Sequence, residues 1–154
     1  MNPLIWTFLL SLSPFGELRL SIPFGLASGG NLILVYFTAV LGNILIVPIA
    51  RFFLDFVHEH LMKWKLYHWA FNKYLDRVRK KIEHKLDGWK YWVLLVFVAI
   101  PLPGTGAWSS TLIGWFFEFD KRKSFIVISL GVMCAGLIVM LVSLGLINGF
   151  KYFF

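Results

Sequence analysis

Apolar residues fall into six blocks along the chain, and the length of each block decides what it can be. Pro3–Leu12 is apolar but too short to span a bilayer, which takes about 20 residues. Ser13-Pro14-Phe15-Gly16 ends it. A second short block, Leu18–Ala27, follows with Glu17 and Arg19 at its start. Ser28-Gly29-Gly30-Asn31 reads as a turn. Leu32–Leu54 is long enough to span. Pro48 predicts a kink within it, and Arg51 near its end is placed to snorkel to the interface. A third short block, Trp89–Ile100, runs into Pro101-Leu102-Pro103-Gly104-Thr105-Gly106. A fourth, Trp108–Phe117, leads to the polar loop Glu118–Lys123, and Ser124–Phe150 forms the second long span.

Between the first long span and the third short block lies a polar stretch, Asp55–Lys90. Its apolar residues (Val57, Leu61, Trp64, Tyr67, Phe71, Leu75, Val78, Ile82, Leu86 and Trp89) recur in steps of three or four. That spacing predicts one amphipathic helix. Lys63, Lys73, Arg77, Lys80 and Lys81 occupy its other faces, and Glu59/Lys63 and Asp76/Lys80 are favourable i,i+4 pairs. Such a helix packs on the bundle or lies on anionic headgroups.

The stretch Pro101–Gly106 organises the reading. Two prolines remove backbone donors and clash with the preceding turn, and two glycines loosen the chain between them. One proline would suit a kinked helix; Pro-x-Pro-Gly-x-Gly favours a turn. Broken backbone at membrane depth is tolerated only where protein or a wet cavity covers it, and in transporters such breaks mark binding sites.

The halves resemble each other. Sliding the second onto the first pairs Pro14 with Pro103, Gly25 with Gly114, and Leu41-Gly42 with Leu130-Gly131. Each half, 1–54 and 91–150, is a broken pair of short blocks followed by one long span. If each pair spans fully, Lys121-Arg122-Lys123 falls opposite the basic stretch Arg51–Lys90, against the positive-inside tendency. If each pair is a re-entrant hairpin, at 3–28 and 91–117, the chain crosses twice, at 32–54 and 124–150. Both basic segments then face the cytoplasm, and the halves are inverted repeats. The second arrangement is expected: an all-α integral membrane protein of one domain, its linker at 55–90 cytoplasmic.

Composition supports this class. Hydrophobic residues make up 58% of the 154 and charged residues 15%, against about 25% charged in soluble chains. The net charge of +7 sits mostly in the linker, so it reads as loop charge and not as a nucleic-acid surface. The single cysteine, Cys134, excludes an intrachain disulfide. No basic residue precedes Arg19, and Pro14 follows the small-residue triplet Ser11-Leu12-Ser13, so a cleaved leader is not expected. No nucleotide loop, catalytic triad or zinc motif is present. An enzyme, a cofactor and a metal are therefore not expected. His58, Glu59 and His60 lack a further local ligand, since His68 and His84 lie too far along.

Candidate chemistry gathers at the two breaks. Glu17 and Arg19 are the ionisable residues of the first hairpin, and a charge at membrane depth is a functional candidate by default. Arg19 offers a planar donor fork for phosphate or carboxylate, and Glu17 can carry a proton. The alternative is an internal pair that only neutralises itself. Their i,i+2 spacing does not place them on one helix face, so different partners are expected, across the repeat interface. In the second hairpin Thr105, Ser109, Ser110 and backbone donors near Gly104 and Gly106 are placed to meet an anion at a half-helix start. Trp108 is expected to pack the tip.

These residues also carry a resemblance. Pro101-Leu-Pro-Gly-Thr-Gly-Ala-Trp-Ser and Glu17-Leu-Arg-Leu-Ser-Ile-Pro-Phe-Gly resemble the two signatures of the putative small multidrug export protein family. The layout is more distantly similar to the DedA superfamily, linked to moving undecaprenyl phosphate and other lipids. DedA proteins carry an Arg in the second hairpin; this chain has none between Lys90 and Lys121. The resemblance implies a small exporter in the cell membrane, moving an amphiphilic or anionic substrate, with proton coupling through Glu17. The expected substrate-binding set is Glu17, Arg19, Pro23, Gly25, Arg51, Pro101, Pro103, Gly104, Thr105, Gly106, Trp108 and Ser109. The alternatives are a DedA-like lipid translocase and a non-transporting structural protein. Membrane lipids are expected partners, nucleic acid is not, and the thinness of the bundle predicts a homodimer or larger oligomer.

Overall fold

In the computed structural model the described residues are 2–61, 69, 73, 89–102 and 104–153, without side chains at 57–61 and 147–153. They form six α-helices: α1 Pro3–Leu12, α2 Glu17–Ala27, α3 Leu32–Leu61, α4 Lys90–Ala99, α5 Ala107–Phe116 and α6 Lys121–Phe153. Among the described residues there is no strand. The amphipathic stripe of the linker from Trp64 to Leu86, Pro103 and the His68 and His84 positions lie outside the described residues. Of the linker, Lys73 is described with its ammonium 4.6 Å from the Trp69 ring centroid.

The helices begin where the sequence supplies caps. Asn2 accepts from the Leu4 N–H at 3.1 Å ahead of Pro3, and Asn31 accepts from Ile33 and Leu34 at 3.0 and 3.3 Å. Asp120 accepts from the Lys123 N–H at 2.9 Å, which holds its carboxyl below the ordinary carboxylate range. This cap starts α6 at Lys121, so the basic run expected to be loop is the first turn of the helix. Likewise α3 continues past Leu54 to Leu61, with Pro48 inside it, because the helical backbone runs on where hydropathy falls at Asp55.

Two helices are long and apolar enough to cross a membrane, over Leu32–Phe56 and Lys121–Leu146. Only 39% and 33% of their most apolar windows is buried within the chain, so most of that apolar surface points outward. The other helices, at 10 or 11 residues, cover about 15 Å each, half of a hydrocarbon core.

Packing is reciprocal between the halves. α1 packs on α3 and α4 packs on α6, each within its own half, while α2 packs on α6 and α5 on α3, each across to the other. α3 and α6 run antiparallel: Tyr36 donates from its hydroxyl to the Met133 carbonyl at 3.0 Å, and Asp55 meets Lys121 at 2.9 Å. The ends carrying Arg51 and Lys121 therefore meet. The aligned glycines do the same work in both halves. A Cβ at Gly42 would collide with Ser11 of α1, and one at Gly131 would sit 2.7 Å from Val98 Cβ of α4. A Cβ at Gly136 would sit 3.0 Å from Tyr36 and Val40 of α3. Gly131 and Gly136 are thus occupied within the chain, whereas Gly145 faces open space. The core is built from Ile22, Val35, Ile46, Leu94, Val98, Ile128 and Val132, all close to fully buried.

Candidate functional site

The two breaks meet in the middle of the bundle, and each supplies what the other lacks. The second break has lost its helical hydrogen bonds, so its backbone needs other partners. Thr105 provides them. Its hydroxyl lies 2.7 and 2.8 Å from the Ile100 and Leu102 carbonyls and accepts from the Leu102 N–H at 3.1 Å. Gly104 stands at φ 83, a left-handed turn position that glycine takes without strain. Arg19 of the first break completes the arrangement. Its Nη2 donates to the Thr105 carbonyl and, at 3.0 Å, to the Thr105 hydroxyl.

Glu17 approaches the same turn from the other side. α5 begins at Gly106, which has no side chain to cap the orphan N–H groups of a helix start. The Glu17 carboxylate takes that place: Trp108 N–H points at its Oε1 over 3.5 Å. A carboxylate is favoured there by the positive end of the helix. Glu17 is 8% exposed, and its own backbone sits at φ 44, an uncommon conformation for a residue with a side chain. The fit depends on Gly106, because a Cβ there would fall within the Glu17 carboxylate.

The end of α1 is tied to the same junction. Trp108 Nε1 donates to the Leu12 carbonyl at 3.3 Å and Asn43 Nδ2 to the Ser11 carbonyl at 2.9 Å, satisfying two carbonyls that a helix end leaves free. Asn43 is almost fully buried, and it is the residue that sequence reasoning missed. The available signal was an amide in the middle of the apolar run Leu32–Leu54.

The expected residues separate into three groups. Glu17, Arg19, Pro101, Thr105, Gly106 and Trp108 come together at the junction, with Gly104 at its exposed edge and Ser109 half-buried in the first turn of α5. Gly25 lies apart, pressed against Thr7 and Val35, and serves packing of α2 on α1 and α3. Arg51 lies apart as well, in a separate cavity. Glu17 and Arg19 take different partners, both in the other half; among the described residues no ion pair joins them.

Two cavities flank the junction. One, of about 430 Å³, is lined by Arg19, Pro23, Pro101 and the α6 residues Ile138–Leu146. Pro23 has no N–H to offer the Arg19 carbonyl one turn earlier. The other, of about 310 Å³, is lined by Pro48, Arg51, Asp55, Thr111 and the α6 residues Lys121–Ile128. Ile128 and Ile138 are about 15 Å apart along the helix at about 1.5 Å per residue. Between them the junction leaves a pocket of only about 10 Å³ beside Glu17, Asn43, Thr105 and Gly106, about the size of one water.

The family described as Putative small multi-drug export protein matches residues 17–138, from Glu17, just after the first break, through the second break into α6. The chain belongs to that family. No curated protein and no solved structure matches it at a significant level. With two helices of spanning length and composition, this family member is a membrane protein. The match takes in both residues of the junction's charged pair and the turn they hold.

Proposed function

We propose that the chain is an exporter of amphiphiles that carry an anionic group, built as two inverted halves whose short-helix pairs are re-entrant hairpins. The observation that carries this reading is the junction itself: Arg19 and Glu17 of one half hold the broken backbone of the other, midway between two cavities about 15 Å apart on α6. A site of this kind suits alternating access, in which one half rocks against the other about a binding point near the bilayer midplane.

The chemistry follows from the donors. Arg19 is held by a neutral carbonyl and a hydroxyl, both weaker partners than an anion. A carboxylate or phosphate entering the larger cavity competes for the guanidinium in bidentate fashion. Its apolar body then lies against Pro23 and the aliphatic face of α6. Releasing Arg19 from Thr105 unties one of the cross-links that hold the second break. Glu17 is another, and its protonation weakens the cap on α5. Proton uptake at Glu17 and anion binding at Arg19 thus loosen the same junction, a route to coupling. Positive-inside bias assigns the Arg51–Lys121 end to the cytoplasm.

The test is transport by purified protein in liposomes, with a fluorescent anionic amphiphile as cargo and an imposed pH gradient. Arg19→Lys keeps the charge and loses the fork, and it is expected to give folded protein with transport reduced at least about tenfold. The Glu17→Gln, Arg19→Gln double variant is expected to fold and fail. Full transport by that double variant leaves the two residues as a structural pair and refutes the reading.

A further inference from the structure

We propose that the second cavity is a binding site in its own right for the single negative charge of an amphiphile, with Arg51 as its cation and Ser124 as its hydroxyl donor. This site is separate from the Arg19 junction and does not depend on that reading. The argument begins with Asp55, whose two oxygens are already engaged. Oδ1 accepts from Trp115 Nε1 at 2.8 Å and Oδ2 from Lys121 Nζ at 2.9 Å. Arg51 Nε is left 4.0 Å from Oδ1, a loose ion pair beyond hydrogen-bonding reach, and that nitrogen is buried with no hydrogen-bond partner among the described residues. Ser124 lines the same cavity, is 3% exposed, and its hydroxyl also has no hydrogen-bond partner among the described residues.

Two buried donors without acceptors, on two residues that line one cavity, are costly to keep, and an anion that draws both side chains toward it relieves both at once. The charge count sets the kind of anion. Arg51 and Lys121 are positive and Asp55 is negative, so the lining carries one net positive charge. Because Lys121 is held by Asp55, the surplus rests on Arg51. Apart from Thr111, the rest of the wall is apolar, with Phe52, Phe56, Phe125 and Ile128 among it, which suits an alkyl or aromatic body. The volume of about 310 Å³ takes a head and a short tail. The same chemistry is available from a bilayer lipid with a singly charged phosphodiester head or from a free amphiphile.

Equilibrium binding of radiolabelled decyl sulfate, singly charged at every working pH, tests this on the full chain in phosphatidylcholine nanodiscs. Arg51→Gln is expected to weaken one component of binding at least about tenfold, as loss of a charged hydrogen bond does. Arg19→Gln should leave that component in place. Asp55→Asn removes the competing carboxylate, frees Lys121, and should strengthen it several-fold. Decyltrimethylammonium should not compete. Adding phosphatidylglycerol to the nanodiscs separates the sources. Displacement of the probe from wild type but not from Arg51→Gln assigns a lipid headgroup, and no displacement assigns a free amphiphile; both support the site. Unchanged binding in folded Arg51→Gln overturns the proposal. If that variant does not fold, unchanged or weaker binding by Asp55→Asn overturns it instead. Binding that is lost only with Arg19→Gln refutes this site and leaves the junction reading standing; loss only with Arg51→Gln does the reverse.

Discussion

Adding one methyl group at Gly106 probes the contact between the halves directly. Gly106 has φ −154 and ψ −167, extended backbone that any residue adopts, so alanine there is not strained by its own conformation. The obstacle is steric: the new Cβ falls within the Glu17 carboxylate. A carboxylate at the end of a flexible chain can swing away, but Glu17 is buried and its backbone is fixed at φ 44. Swinging away also gives up the Trp108 N–H. Overpacking of this kind costs about 1–3 kcal/mol. A hydrogen bond to a charged group contributes about 1.5–3 kcal/mol, and the 3.5 Å length puts this one at or below the lower end. The expected loss for Gly106→Ala is therefore about 2–4 kcal/mol. The assay is unfolding in mixed micelles by denaturing detergent, with Gly106→Ala made in the wild type and in a Glu17→Ala background. In the second background the methyl has room, and the loss should fall below about 1 kcal/mol, a coupling that contacting residues show and distant ones do not. Gly114→Ala is the control, since its Cβ would rest 3.4 Å from Ser124 Oγ, an ordinary contact. An equal loss from Gly106→Ala in both backgrounds would refute the Glu17–Gly106 contact as its cause.

Other outcomes follow from the same geometry. Cysteines placed at Gly29 and Arg122 should label from opposite sides of the membrane; labelling from one side rules out two re-entrant hairpins. Asn43→Leu removes the donor to the Ser11 carbonyl and should cost about 1–3 kcal/mol in the same unfolding assay, with no loss if that carbonyl finds another donor. The depressed Asp120 carboxyl stabilises α6 above the ordinary carboxylate range, and that contribution is lost as pH falls through its folded value. Asp120→Asn keeps an acceptor at the cap, so the difference in acid stability between wild type and this variant should report the charge alone, and identical acid profiles would assign no role to it.

Much of the fold was legible because membrane segments advertise their lengths. Four blocks too short to span and two long enough to do so are read from apolar run length alone, and α1 through α6 fall on them. Asn31 and the Gly29-Gly30 pair marked the turn before α3, and Pro101–Gly106 marked the second break. The ends of the long helices were less legible. Hydropathy falls at Asp55 and at Lys121, whereas the helical hydrogen bonds continue through Asp55 and already include Lys121. Hydropathy records the solvent, and backbone geometry does not change where the solvent does.

The site divides along the same physical line. A charge in an apolar run is costly, so Glu17 and Arg19 stand out without any structure, and their i,i+2 spacing already separates their directions. Their partners could not be named, because Thr105 and Gly106 offer backbone and a missing side chain, features that composition does not record. Gly25 lies apart from this junction. It sits in the same signature as Glu17, yet what it provides is room for Thr7 and Val35. Arg51 was read as a snorkelling residue because it lies near the end of a span, but α3 runs on beyond it, its Nε is buried, and the residue lines a cavity. Asp55 is what decides its state, by turning both oxygens to Trp115 and Lys121 instead. Arg51 is thus left with only a 4.0 Å ion pair because three helices, α3, α5 and α6, meet at one carboxylate, and only the fold brings them there.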